Sequence, residues 1–93
     1  FTQTGGKVLL IDADLRNPSL HKIFNLPNNA GLVNCLAGEL RPAQVARKTD
    51  IERLFVIPSG PIPPNPAELL AGANMLDLIA LGSKRFDYVI IDS

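Results

Sequence analysis

Two apolar runs in this chain each end in aspartate, and that shared pattern narrows the folds open to it. Val8-Leu9-Leu10-Ile11 leads into Asp12-Ala13-Asp14, and Tyr88-Val89-Ile90-Ile91 leads into Asp92. Short runs rich in branched side chains read as central parallel strands covered on both faces. Ligands of open parallel sheets sit beyond the carboxyl ends of the strands, so Asp12, Asp14 and Asp92 are expected to converge there. Carboxylates held together in a partly dry crevice repel one another and favour a cation. A hard divalent ion carrying phosphate oxygens, Mg²⁺ above all, suits that donor set. The expectation is part of a nucleotide-phosphate site.

Ninety-three residues make at most one small α/β domain, and at 46% hydrophobic the chain can build a core. Nine basic and nine acidic residues balance, which argues against a dedicated nucleic-acid or membrane-surface domain. The basic stretch Arg41, Arg47, Lys48 and Arg53 has no interleaved aromatic residue and reads as a solvated face. A single cysteine, Cys35, excludes an intrachain disulfide and fits a reducing, cytoplasmic compartment. It sits in an apolar helical stretch and reads as a core residue. His21 stands alone and reads as a surface or packing residue. No apolar run reaches the roughly 18 residues needed to span a bilayer. The opening Phe1-Thr2-Gln3 reads as a helix end, with a Gly turn into a strand after it. The last strand stops just after its carboxylate. Residues 1–93 are therefore expected to be a piece of one domain from a longer protein.

Between the two strands, Asn17-Pro18 reads as the N-cap and first residue of a helix over 18–25. Gly31 to Ala37 reads as a second helix stopped by Gly38, and Pro42 to Arg47 as a third. Leu54 to Pro58 reads as a strand. The stretch Pro61-Ile62-Pro63-Pro64-Asn65-Pro66 is too rich in proline to join a central strand. Asn65, Pro66 and Glu68 read as a capping box opening a helix to about Leu81. That helix is expected to bury Leu69, Leu70, Ala73, Leu76 and Ala80, and to end at Gly82. This alternation predicts an α/β fold: a partial, doubly wound parallel sheet of three strands in the order 54–58, 8–12, 88–92. Right-handed crossovers then place the intervening helices on opposite faces. A strand-end aspartate can also serve only as a helix cap. Two of them, in this order and at this separation, favour a site.

Three segments carry a family resemblance. Val8 to Arg16, VLLIDADLR, resembles the Walker A′ motif of deviant P-loop ATPases, the group of MinD, ParA and the bacterial tyrosine kinases. Tyr88 to Ser93, YVIIDS, has the form of a Walker B strand. Gly60 to Leu70, GPIPPNPAELL, is similar to the signature between these motifs in the bacterial tyrosine kinases of capsule and exopolysaccharide export, as is LRNPSLHKIF over Leu15 to Phe24. The resemblance implies a P-loop NTPase fold and an ATP- and Mg²⁺-dependent protein-tyrosine autokinase. It implies Asp12 beside the Mg²⁺ shell and accepting the tyrosine hydroxyl proton, Asp14 supporting it, and Asp92 holding the metal through water. Arg16 would reach phosphate or pair with Asp14. The implied partners are ATP, the tyrosine-rich tail of a neighbouring subunit in a ring oligomer, and a membrane polysaccharide co-polymerase or adaptor. That adaptor would tether a cytoplasmic domain to the inner face of the plasma membrane.

The chain departs from the family pattern in lacking G-x-x-x-x-G-K-[ST], since Gly5-Gly6-Lys7 precedes a strand and does not link strand to helix. No tyrosine-rich tail is present, and Tyr88 reads as a core residue. The isolated chain is thus expected to bind nucleotide poorly and to leave the last strand as an apolar, unpaired edge. Two other classes compete. A MinD- or ParA-type partitioning ATPase shares the DxD strand but is not expected to carry Pro-Pro-Asn-Pro. A phosphoacceptor receiver domain also pairs strand-end acids, but Asp14 and Asp92 stand too far apart in sequence for it.

Overall fold

Strand β1 (Val8–Asp12) lies at the centre of a sheet, between β3 (Leu54–Ile57) and β4 (Tyr88–Asp92), parallel to both. This is the order that the sequence predicts for its three strands. A computed structural model describes residues 5–93, so the helix end expected at residues 1–3 lies outside the described residues.

The sheet also holds a fourth strand that no apolar run in the sequence marks. Arg47–Lys48 form β2, antiparallel to β3, which gives a four-stranded sheet in the order β2-β3-β1-β4. The expected helix over 42–47 is correspondingly shorter, α3 (Pro42–Val45). The turn that joins β2 to β3 is closed by Thr49, whose Oγ1 donates to Leu54 O at 2.9 Å. Arg53 takes φ +67° there, and its guanidinium donates to Gly5 O.

The antiparallel entry also changes the layering. The β1-to-β3 connection is not a simple parallel crossover, so the handedness rule does not send its helices to the far face. Helix α2 (Leu32–Leu36) and α3 instead share a face with α5 (Ala73–Arg85). Their Leu32, Leu36, Val45, Met75 and Leu78 pack on Leu9, Ile11 and Ile57 of the sheet. Asn74 Nδ2 ties the layer together by donating to Leu36 O at 2.8 Å.

The long helix expected over 66–81 is two helices. α4 (Pro66–Ala71) ends at Gly72, whose extended backbone (ψ 166°) breaks the ladder, and α5 begins at Ala73 in a new phase. The reset turns Leu76 to solvent, 71% exposed, and buries Met75, Leu78 and Gly82 instead. Gly82 lies within α5 and does not end it. A Cβ there would stand 3.3 Å from Leu9 Cδ2 and Val89 Cγ2, so glycine lets the helix sit close on the sheet. Asn65 occupies the N-cap position of α4 as expected, but its side chain makes no capping bond.

Tyr88 corrects another expectation. It is 50% exposed, because β4 is the last strand of the described sheet and nothing covers its outer side among the described residues. The unpaired edge itself is as predicted. Cys35 is half-buried against the core, and burial pushes its thiol up to about 11, so it stays protonated and unreactive near neutral pH.

Candidate functional site

The parallel register sets Asp12 directly beside Asp92 at the carboxyl edge of the sheet. Neighbouring strands lie about 4.8 Å apart, so the two residues are adjacent across the ladder. Ala13 N donates to Asp92 O at 2.8 Å, which continues the pairing one step past β1. Two of the three expected residues, Asp12 and Asp92, are therefore backbone neighbours at this edge. The third, Asp14, is half-buried two residues further on, and its Oδ1 accepts from Asn17 N at 3.2 Å. Arg16 is exposed, and among the described residues no hydrogen bond joins it to Asp14.

Asp12 is fully buried, and its carboxylate is shaped by the backbone around it. Oδ1 accepts from Asp14 N at 3.1 Å, and Oδ2 accepts from Ser19 N and Leu20 N, both at 3.1 Å. Ser19 and Leu20 open α1 (Leu20–Ile23), a single turn whose own N-cap residue, Ser19, makes no side-chain cap. The expected cap at Asn17, with Pro18 as first residue of a helix over 18–25, is thus corrected. The helix is shorter, and its leading amides are satisfied by a carboxylate from the strand. Asp12 is a cap and a candidate site residue at once. The two readings that the sequence set against each other are both compatible with its position.

The donor set passes a chemical test for Mg²⁺. Asp12 and Asp92 are hard oxygen donors, and Mg²⁺ retains most of its waters and takes one or two carboxylates. A carboxylate offers about four lone-pair positions, and three at Asp12 are taken by amides. Contact through water fits that remainder better than a protein cage. No group of three or more His, Cys, Asp or Glu side chains is arranged to hold a metal among the described residues.

A second polar element at this edge has no counterpart in any local sequence pattern. Ser59, just past β3, is fully buried, and Asn28 reaches it from a loop 31 residues away. Asn28 Nδ2 donates to Ser59 Oγ at 3.1 Å, and Asn28 Oδ1 accepts from Gly60 N at 2.7 Å. Gly60 takes φ +80°, a conformation that glycine adopts without strain. Together these bonds pin the start of the proline-rich loop to the loop that precedes α2. Asn28→Ala leaves the Gly60 amide and the Ser59 hydroxyl without this partner and is expected to lower stability by about 1–3 kcal/mol. Urea unfolding followed by circular dichroism measures it, and a loss below about 0.5 kcal/mol sinks the assignment.

Comparison with known proteins bears on the fold and on the chain's relatives. No protein-family model matches the chain. The tyrosine-protein kinase YwqD of Bacillus subtilis is 45% identical over 93 residues, covering 100% of this chain and 39% of that protein. The chain is homologous to bacterial tyrosine kinases over its whole length. The kinase domain of the Escherichia coli tyrosine kinase ETK superposes with a TM-score of 0.92 at 38% identity, covering 98% of this chain and 36% of that one. A Pyrococcus horikoshii septum site-determining protein MinD, complexed with Mg-ADP, has a TM-score of 0.77 at 23% identity, covering 97% of this chain and 37% of that one. That likeness shows the fold alone, a P-loop NTPase type. The chain spans about two fifths of the length of the shorter curated relatives it matches and 13% of longer ones. No helix among the described residues is long and apolar enough to cross a membrane.

Proposed function

We propose that this chain is the Walker A′-to-Walker B segment of an ATP-dependent protein-tyrosine autokinase acting in capsule or exopolysaccharide production. The observation that carries the proposal is the register of Asp12 beside Asp92, in a chain homologous end to end with bacterial tyrosine kinases. In this reading residues 1–93 are part of one kinase domain, and the phosphate cradle and tyrosine-rich tail belong to the rest of the protein. Its partners are ATP, the tail of a neighbouring subunit in a ring, and a membrane adaptor that keeps this cytoplasmic domain at the plasma membrane.

Asp12 and Asp92 would hold Mg²⁺ through water, and the bound ion would neutralise charge on the transferred phosphoryl group. Asp12, fixed in one orientation by three amides, accepts the proton of the tyrosine hydroxyl. Asp14 supports the loop that carries that carboxylate by accepting from Asn17 N. Arg16, exposed beside them, is free to meet phosphate oxygens.

The test uses the full-length protein with ATP and Mg²⁺, read by phosphotyrosine immunoblot. Asp92→Asn, at a half-buried strand end, is expected to cut autophosphorylation by about 10–100-fold. Thermal unfolding should hardly move. An unchanged phosphotyrosine signal removes Asp92 from the metal site, and a full-length protein that never labels tyrosine removes the kinase reading.

A further inference from the structure

A cavity of about 470 Å³ opens on the helix-covered face of the sheet, between α3 and α5. Its size falls within the range of small-molecule sites, about 300–1,000 Å³. Leu9, Phe55 and Ile57 of the sheet form its floor. Leu78, Leu81 and Arg85 recur along α5 at helical spacing and line one wall, while Arg41, Pro42, Ala43 and Ala46 line the other. Leu81 is 41% exposed, an apolar side chain left partly bare at this opening.

The charges at this cavity are all of one sign. Lys7, Arg41 and Arg85 line it, and no aspartate or glutamate does. Lys7 is held in place by aromatic faces. Its Nζ stands 5.0 Å from the Phe86 ring centroid and 5.5 Å from that of Phe55. The two rings meet edge to face with centroids 5.4 Å apart. Asp87 lies next in sequence to this pair, but its Oδ2 accepts from the Lys7 backbone N at 2.7 Å, and it does not line the cavity. An apolar floor and walls beneath three cations complement a ligand with an apolar body and one anionic head.

We infer that the cleft between α3 and α5 binds a small amphipathic carboxylate, its hydrocarbon part on Leu9, Phe55, Ile57 and Leu81 and its head among Lys7, Arg41 and Arg85. Neither Asp12 nor Asp92 lines this cavity, and the inference does not depend on the kinase reading.

The experiment titrates decanoate, and in parallel neutral 1-decanol, into the full-length protein by isothermal calorimetry. Decanoate is expected to bind once per chain, with 1-decanol weaker by about tenfold or more. Leu81→Glu places a carboxylate at the half-open wall and should weaken decanoate by about tenfold or more. Circular dichroism confirms the fold of that variant. If it does not fold, the surface pair Arg41→Gln with Arg85→Gln carries the test, because it should erase the preference for decanoate over 1-decanol. No saturable binding up to roughly 1 mM decanoate, a level that corresponds to about −4 kcal/mol, overturns the inference. So does equal affinity for 1-decanol, or a folded variant that binds as the wild type does.

Discussion

Asp12→Asn is expected to abolish tyrosine autophosphorylation in the full-length protein and, separately, to weaken the fold. The second effect follows from the hydrogen bonds. Asparagine keeps one oxygen, which can still accept from Asp14 N, but its amide nitrogen then faces the N–H groups of Ser19 and Leu20. Flipping the amide rescues those two and sets the nitrogen against Asp14 N. In either orientation a buried donor meets a donor, at a cost of about 2–4 kcal/mol once the unsatisfied amides are counted. That is a large share of the 5–15 kcal/mol typical of a domain. Activity must therefore be read at a temperature where circular dichroism shows the variant folded. Lost phosphotyrosine in a folded variant assigns the carboxylate to the chemistry. A folded variant that still labels tyrosine leaves Asp12 as a cap and nothing more.

The double role of Asp12 also shows which parts of this molecule can be read from its sequence. The three parallel strands are legible because each is a continuous apolar run, and the aspartates follow from their ends. The α1 cap is not legible in the same way. Asn17-Pro18 is a sound local start signal, yet the amides of Ser19 and Leu20 find their acceptor on a strand seven and eight residues back. Strand β2 is two basic residues with no alternation to read, and only its pairing with Phe55 and Val56 makes it a strand. Because that pairing is antiparallel, it also overrides the crossover rule that would have split the helices between two faces.

Gly72 and Tyr88 show two further limits. A single glycine inside a helical pattern is often tolerated, so the break at Gly72, and the rotation that exposes Leu76, depend on tertiary packing. The apolar run around Tyr88 reads as an interior strand, whereas in the described sheet β4 is an outer strand with one flank open. The Asn28–Ser59–Gly60 bonds lie between segments about thirty residues apart. Pro27-Asn28-Asn29 announces a turn, and nothing in the local sequence names the partner of that turn.

The largest loss of stability is expected from one methyl group at Gly31. Its backbone is extended (φ −176°), so conformation is no obstacle to another residue there. Space is the obstacle. A Cβ on Gly31 would stand 2.1 Å from Pro58 O, 2.7 Å from Pro58 C and 2.6 Å from Gly60 N, all backbone atoms that cannot rotate away. To admit it, the N-terminal end of α2 must lift off the end of β3. That movement breaks the bonds from Leu32 N to Pro58 O (2.8 Å) and from Val33 N to Ser59 O (3.0 Å), and it opens the core around the fully buried Leu32. Gly31→Ala should cost about 4 kcal/mol or more, the range reserved for severe overpacking with lost buried hydrogen bonds. Gly38→Ala, just past the other end of α2, supplies the contrast. Gly38 has φ +79° and nothing within 4 Å of its Cβ position, so alanine there meets only the left-handed backbone penalty of about 1–2 kcal/mol. Urea midpoints of the two variants, measured side by side, decide the matter. Equal losses would mean that α2 can move away from β3 freely, and the anchoring of the proline-rich loop at this edge would have to rest on Asn28 alone.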